Sequence, residues 1–179
     1  MRNVYLPRSI DELWRILDAE PEAAVYAGGT DLLVKLRAAA SGPRCLVCIE
    51  RIDELRGVAD RGDSLRIGST TTHSQLLEHA LIREHLPVLA LALAVLGSPP
   101  IRHMGTIGGN IVTASPAGDT LPALYVLGAE LEVLSRASSR RLPLHRFITG
   151  PGAVDLRNGE ILGAVWVRKQ PEWTIHHHE

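Results

Sequence analysis

Between Ala23 and Ile49 the chain alternates in a way that leaves few folds open. Ala23-Ala24-Val25-Tyr26-Ala27 is a short apolar run of strand length that stops at Gly28-Gly29. Thr30 stands where a hydroxyl can cap a helix, Leu32, Leu33 and Leu36 share one helical face, and Gly42-Pro43 ends that helix. Cys45 to Ile49 is the next strand. Strand, Gly-rich turn, helix and strand make a βαβ unit, and its Gly turn lies at a helix N-terminus, where an anion is welcome.

A second stretch of this kind runs from Gly105 to Asp119 and contains Thr106-Ile107-Gly108-Gly109-Asn110. Without a Cβ, Gly108 and Gly109 can take positive φ and bring their N–H groups up to phosphate oxygens. On this stretch alone a tight Gly-Gly turn between core segments, flanked by Ile107 and Ile111, is the favoured reading. The similar run Ala27-Gly28-Gly29-Thr30-Asp31 shifts the balance toward an anion clamp made of two loops. Asp31 and Asp119 each follow a Gly-containing loop; each can accept from ribose or ribityl hydroxyls, or can cap a helix.

The remaining pattern is a mixture of helices and paired strands. Ser9 and Glu12 form a capping box, and Ile10, Leu13, Trp14 and Leu17 then fall on one helical stripe that Pro21 follows. From Val58 to Gly68 the side chains alternate as in a hairpin. Thr70-Thr71-Thr72 offers a cap for a helix starting near His73, a buried helix follows over 87–96, and Gly97-Ser98-Pro99-Pro100 stops it. Asp119 or Thr120 can cap a short helix with Pro122 in its first turn. Glu130 to Leu134, Arg141 to Leu144 and Glu160 to Arg168 read as strands. The expected organisation is a small βαβ subdomain over residues 1–55, a second α+β subdomain over 56–170 with a mainly antiparallel sheet, and a tail over 171–179. A ligand is expected where the first two meet, touched by both Gly loops.

Several function classes are excluded by composition and motif. Of 179 residues, 45% are apolar and 22% charged, the balance of a folded globular chain rather than a disordered one. A formal net charge of −1 gives no basic field for nucleic acid, and 4% aromatics give no base-stacking platform. The most apolar run, Leu86 to Leu96, covers only about half of the roughly 20 residues of a membrane span. With no export signal visible, the chain is expected in the cytoplasm, its two cysteines reduced. Cys45 and Cys48 lie within a strand and point to opposite faces, so they read as packing, and no second pair completes a zinc or iron–sulfur site. His176-His177-His178 reads as a metal tract, a tag remnant or solvated sequence, and its terminal position favours the last two. Neither Gly loop is a P-loop or a Gly-x-Gly-x-x-Gly fingerprint, and no nucleophile elbow is present, so chemistry here would belong to a cofactor.

Taken together, Tyr26-Ala27-Gly28-Gly29-Thr30-Asp31, the segment from Gly68 to His73, Ile101-Arg102, Thr106-Ile107-Gly108-Gly109-Asn110-Ile111, and Ser115-Pro116 with Asp119 and Pro122 resemble one family. They are similar, in order and spacing, to the flavin subunits of the molybdenum hydroxylases, such as the medium subunit of carbon monoxide dehydrogenase and the FAD domain of xanthine dehydrogenase. The resemblance implies an α+β fold of the p-cresol methylhydroxylase type, with FAD between two subdomains. It implies that Ala27, Gly28, Gly29, Thr30 and Asp31, together with Thr106, Ile107, Gly108, Gly109 and Asn110, hold the pyrophosphate region. Asp119 is expected on a hydroxyl or nearby polar group, Leu96 and Leu162 against the cofactor, and Thr113 and Ser115 nearby. It also implies partners: an iron–sulfur small subunit and a molybdopterin-binding large subunit, with NAD or a quinone as acceptor. A third subdomain would begin near Trp173 to Glu179, and Pro100 stands where relatives often have Gln. A non-catalytic nucleotide-binding or assembly module of the same fold, or a stand-alone flavin oxidoreductase, are the alternative functions.

Overall fold

The computed structural model describes residues 2–39 and 41–169. The tail 171–179 and the His176 to His178 tract lie outside the described residues. Strand β1 (Asn3–Tyr5) leads into helix α1 (Ile10–Ala19), strand β2 (Ala24–Tyr26), helix α2 (Leu32–Ala38) and strand β3 (Cys45–Cys48). Both neighbours of β3 run parallel to it, giving the order β1-β3-β2. The βαβ unit expected from sequence is thus the second half of a three-stranded sheet, with β1 the strand that the sequence reading did not anticipate.

Helix α1 forms because its apolar stripe has a core to face. Leu13 and Trp14 are buried with Val47 and Ile49, and Ile10 and Leu17 pack against them. Ser9 accepts the Glu12 N–H at 3.2 Å, as a capping box requires, but the Glu12 carboxylate takes the N–H of Arg8 rather than that of Ser9. All four residues of β3 are buried, as befits the central strand of a small parallel sheet. Cys45 and Cys48 are both free thiols there, and burial pushes the Cys48 thiol up. Thr30 does not cap α2: the N-cap position is Asp31, whose side chain pairs with Lys35 at 2.7 Å instead.

After a 3-10 turn at Asp53–Leu55 the chain builds a five-stranded sheet. It consists of β4 (Val58–Asp60), β5 (Ser64–Gly68), β6 (Glu130–Leu134), β7 (Ser139–Pro143) and, after two short strands β8 (Ile148–Gly150) and β9 (Ala153–Val154), β10 (Ile161–Arg168). The order is β4-β5-β10-β6-β7, antiparallel throughout. Alternation sorts its faces. Leu65, Ile67, Leu131, Val133, Val165 and Val167 face the larger core, while Trp166 lies opposite and donates to Glu132 at 2.7 Å.

That core is closed by α3 (His73–Glu78), α4 (Ala80–His85), α5 (Pro87–Val95), α7 (Ile107–Thr113), α8 (Thr120–Val126) and α9 (Leu144–Phe147); α6 (Pro99–Met104) packs on α3. The structure departs from sequence expectation in three of these. Helix α5 is not buried all round, since Leu91 and Val95 are 50% and 57% exposed while Val88, Leu89, Ala92 and Leu93 fill the core. Pro99 and Pro100 do more than stop a helix, because they open the next one, where a missing N–H costs nothing. The Gly108-Gly109 pair lies inside helix α7, not in a loop. Among the described residues no helix is long and apolar enough to cross a membrane.

Buried hydroxyls pin the start of this half. The Thr71 hydroxyl, 2% exposed, donates to Gly68 O at 2.7 Å and accepts the Gly57 N–H at 2.9 Å. Thr71→Val keeps the shape but orphans the Gly57 N–H, and is expected to lower stability by about 1–3 kcal/mol, measured as a shift in urea midpoint at unchanged slope.

Candidate functional site

The site is created by backbone pairing between two segments that precede helices. His73 N–H donates to Gly105 O at 3.0 Å, Ile107 N–H to Thr71 O at 3.1 Å and Gly108 N–H to Ser69 O at 2.9 Å. The two N-cap threonines, Thr72 of α3 and Thr106 of α7, therefore sit side by side in an antiparallel bridge. Two glycines permit this closeness. A Cβ on Gly108 would stand 2.7 Å from both Cβ and O of Ser69, and one on Gly28 would overlap Met104 O at 1.7 Å. Gly28 thus brings the β2–α2 turn onto the segment just before α7.

A cleft of about 510 Å³ opens between the β2–α2 turn and the start of α7, within the range of small-molecule sites. Tyr26 and all of Ala27, Gly28, Gly29, Thr30 and Asp31 line one side; Thr106, Gly108, Gly109, Asn110 and Thr113 line the other, and Leu96 and Leu162 are also in the wall. Leu162 reaches it where the ladder of β10 with β6 shifts register between Leu162 and Ala164. Thr113 Oγ1 donates to Asp31 Oδ2 at 3.4 Å, a polar clasp between the two halves.

Three sequence-derived candidates lie elsewhere. Ile107 is fully buried in the larger core and its N–H is taken by Thr71. Helix α7 ends at left-handed Ala114, with φ of 46°. Past it, Ser115 accepts from Ala117 N at 3.2 Å and Asp119 is an exposed N-cap residue of α8 without a side-chain cap bond; neither lines the cleft. The expectation that Gly108 and Gly109 take positive φ and aim N–H groups at an anion is also corrected. Both are helical, and their N–H groups go to Ser69 O and Thr106 Oγ1.

The donors the cleft can offer an anion belong to the first loop. Gly29 has the positive φ, 70°. Among the described residues no protein acceptor takes the N–H groups of Gly28, Gly29, Thr30 or Asp31. On the facing wall, buried Thr120 donates to Asn110 Oδ1 at 2.6 Å, which fixes the amide and leaves its Nδ2 hydrogens for a ligand.

Sequence reasoning assigned no cofactor contact to Ser69, Thr70, His73, Ile101, Leu156 or Glu160, which also line the cleft. The run from Gly68 to His73 was visible as a hydroxyl-rich segment, but only its pairing with Gly105 to Gly108 turns it into a wall. Glu160 is gripped by Arg140, which also binds Asp155, and this contact holds the Glu160 carboxyl below the usual range. Burial alone pushes His73 down to about 4.

Comparison with known proteins gives a consistent picture. A family model described as "FAD binding domain in molybdopterin dehydrogenase" matches residues 1–169. The xanthine dehydrogenase FAD-binding subunit of Escherichia coli O157:H7 is 39% identical over 158 residues, 88% of this chain and 54% of that protein. The carbon monoxide dehydrogenase medium chain of Hydrogenophaga pseudoflava is 32% identical over 160 residues, 88% of this chain and 55% of that one. Among solved structures, carbon monoxide dehydrogenase from Hydrogenophaga pseudoflava superposes with a TM-score of 0.91 at 27% identity, over 96% of this chain and 60% of that one. Quinoline 2-oxidoreductase from Pseudomonas putida 86 also gives 0.91 at 27%, over 95% and 60%. The chain therefore spans a little over half the length of the curated relatives it matches.

The glycines separate into two kinds, and substitution distinguishes them. Gly28→Ala is expected to lower the urea midpoint strongly, because its Cβ meets rigid backbone. Gly109→Ala, whose Cβ would meet only Thr106 Oγ1 at 3.1 Å, is expected to leave it nearly unchanged. His73 adds a pH signature. Its unfolded value near 6.5 exceeds its folded value of about 4, so the unfolded chain binds the extra proton and stability falls as pH drops from 6.5 towards 4. Between pH 7 and pH 4.5 the wild type should lose on the order of 2 kcal/mol more than His73→Gln, read from urea unfolding at both pH values.

Proposed function

The chain belongs to the family of FAD-binding domains in molybdopterin dehydrogenases, and on that premise we propose that its cleft holds FAD and that it serves as the electron-transfer component of a molybdenum hydroxylase. The observation that carries this reading is the convergence of the first Gly loop and the glycine-containing first turn of α7 on one cleft. The residues present fit the cofactor. The unpaired N–H groups from Gly28 to Asp31 suit the pyrophosphate oxygens, with Lys35 also in the cleft lining. Thr106, Gly108, Gly109 and Asn110 supply the facing wall, and Asn110 keeps a free amide donor. Leu96, Ile101, Leu156 and Leu162 give an apolar surface against which a planar ring system is shielded from water.

Bound FAD would supply reversible one- and two-electron chemistry; the protein supplies position, hydrogen bonds and exclusion of solvent. Gly28 fixes the first loop against Met104 O, and Thr106 caps α7, so both walls are set before a ligand arrives. In the proposed complex an iron–sulfur small subunit delivers electrons drawn from a molybdopterin-binding large subunit, and NAD or a quinone takes them away. Asp119 and Ser115 stay outside the proposed contact set, because neither lines the cleft.

Titration of the purified chain with FAD, followed by flavin fluorescence and absorption, should show saturable binding; a folded sample without saturation would overturn the proposal. Gly109→Val, which places a branched side chain at an exposed position on the cleft wall, should weaken that binding at least tenfold, measured in the same titration.

A further inference from the structure

We propose that His73 is a further contact of the dinucleotide, its Nε2–H donating to an uncharged acceptor of FAD. This inference rests on reading the cleft as an FAD site.

The buried polar residues among those described are Ser69, Thr70, Thr71, His73, Thr106 and Thr120, of which Ser69, Thr70, His73 and Thr106 line the cleft. The threonines are satisfied within the protein. Thr70 Oγ1 donates to Leu55 O at 2.8 Å, Thr71 Oγ1 to Gly68 O at 2.7 Å and Thr120 Oγ1 to Asn110 Oδ1 at 2.6 Å, while Thr106 Oγ1 accepts from Gly109 N at 3.1 Å. Ser69 and His73 are the exceptions. Among the described residues, Ser69 Oγ and His73 Nδ1 are shut off from solvent and have no hydrogen-bond partner, and both residues line the cleft. The Nδ1 of His79 is a third such atom, but His79 is not part of the lining. Closed off as they are, neither atom is open to a ligand; His73 Nε2 likewise makes no hydrogen bond among the described residues but is not one of the atoms shut off from solvent, so it is the ring nitrogen that a ligand in the cleft can reach.

His73 is only 3% exposed, and its backbone is fixed by the bond to Gly105 O. The ring edge lies along Gly105, where a Cβ would come within 3.0 Å of Cδ2 and 3.3 Å of Nε2. Gly28 presses on Met104 O, the residue before Gly105. First loop, Met104-Gly105 backbone and His73 ring therefore form successive layers at the point where the two halves meet. No ionised neighbour acts on the ring, and burial keeps it neutral at neutral pH. A neutral imidazole carries one N–H, and an orphaned donor in the interior is rarer than an orphaned acceptor. The proton accordingly sits on Nε2, with Nδ1 as the bare nitrogen. That leaves an uncharged donor in the cleft wall, suited to a carbonyl, ring nitrogen or hydroxyl of the cofactor.

The test uses the whole chain and fluorescence titration with FAD, FMN and ADP. His73→Phe should bind FAD about tenfold more weakly, the loss expected for one hydrogen bond in a desolvated site, and His73→Gln, which keeps an N–H donor, should recover most of it. A loss shared with FMN but not ADP puts the acceptor on the flavin half, and one shared with ADP but not FMN puts it on the adenylate half. In wild-type protein labelled with ¹⁵N-histidine, the Nε2 resonance should shift on saturation with FAD, a readout that holds even where His73→Phe fails to fold. Unchanged FAD affinity in folded His73→Phe, or an unmoved Nε2 resonance, would overturn the role of His73 while leaving the FAD site intact. Absence of FAD binding by the wild type would remove the parent reading and this inference with it.

Discussion

The pairing of residues 69–73 with 105–108 is the contact on which the rest of the arrangement depends. Three backbone hydrogen bonds join the start of α3 to the start of α7, and they orient both helices by their N-caps. Ser69 N–H in turn donates to Gly163 O, at the irregularity of β10. The large sheet, the helical layer and the cleft are thereby tied to one short piece of backbone. Gly108 is required there because the two chains pass too closely for a Cβ, not because of an unusual φ. Removing that closeness would separate Thr106 to Asn110 from Ser69 to His73 and open the wall between them.

The same economy joins the small parallel sheet to the rest. Ile161, at the start of β10, is buried with Leu13, Val47 and Ile52, whereas Leu162, Val165 and Val167 belong to the larger core. One strand thus crosses from one core to the other at the edge of the cleft. Gly28 adds backbone contact with Met104, and Thr113 adds a hydrogen bond to Asp31. The cleft is a seam between two hydrophobic cores, where polar groups that neither core can bury remain available to a ligand.

Much of this was legible along the chain. The stripe of Ile10, Leu13, Trp14 and Leu17, the hairpin of β4 and β5, and the strands β6, β7 and β10 follow from periodicity and turn residues, because these are local consequences of side-chain spacing. The two segments that line the cleft were legible too, since Gly pairs flanked by small polar residues mark close backbone approach. Ile107, Ser115 and Asp119 do not line the cleft, because a motif read as a continuous string hides the helix inside it. Once Thr106 caps α7, one face of Ile107-Gly108-Gly109-Asn110 turns to the core and the other to the cleft, and left-handed Ala114 ends the helix before Ser115 and Asp119.

The sequence by itself determined the mixed α and β character, the βαβ unit and the positions of the two glycine-containing segments, all set by interactions between residues a few positions apart. Only the tertiary structure decided which N–H groups are spent and which are free. The pair Gly108-Gly109, the more conspicuous donor in the sequence, satisfies Ser69 and Thr106, while the backbone N–H groups of the first loop have no protein acceptor among the described residues. It also decided that His73 belongs to the cleft. Hydrogen-bond satisfaction and close packing depend on partners about 40 residues apart, such as Ser69 with Gly108, and no local pattern encodes such a pairing.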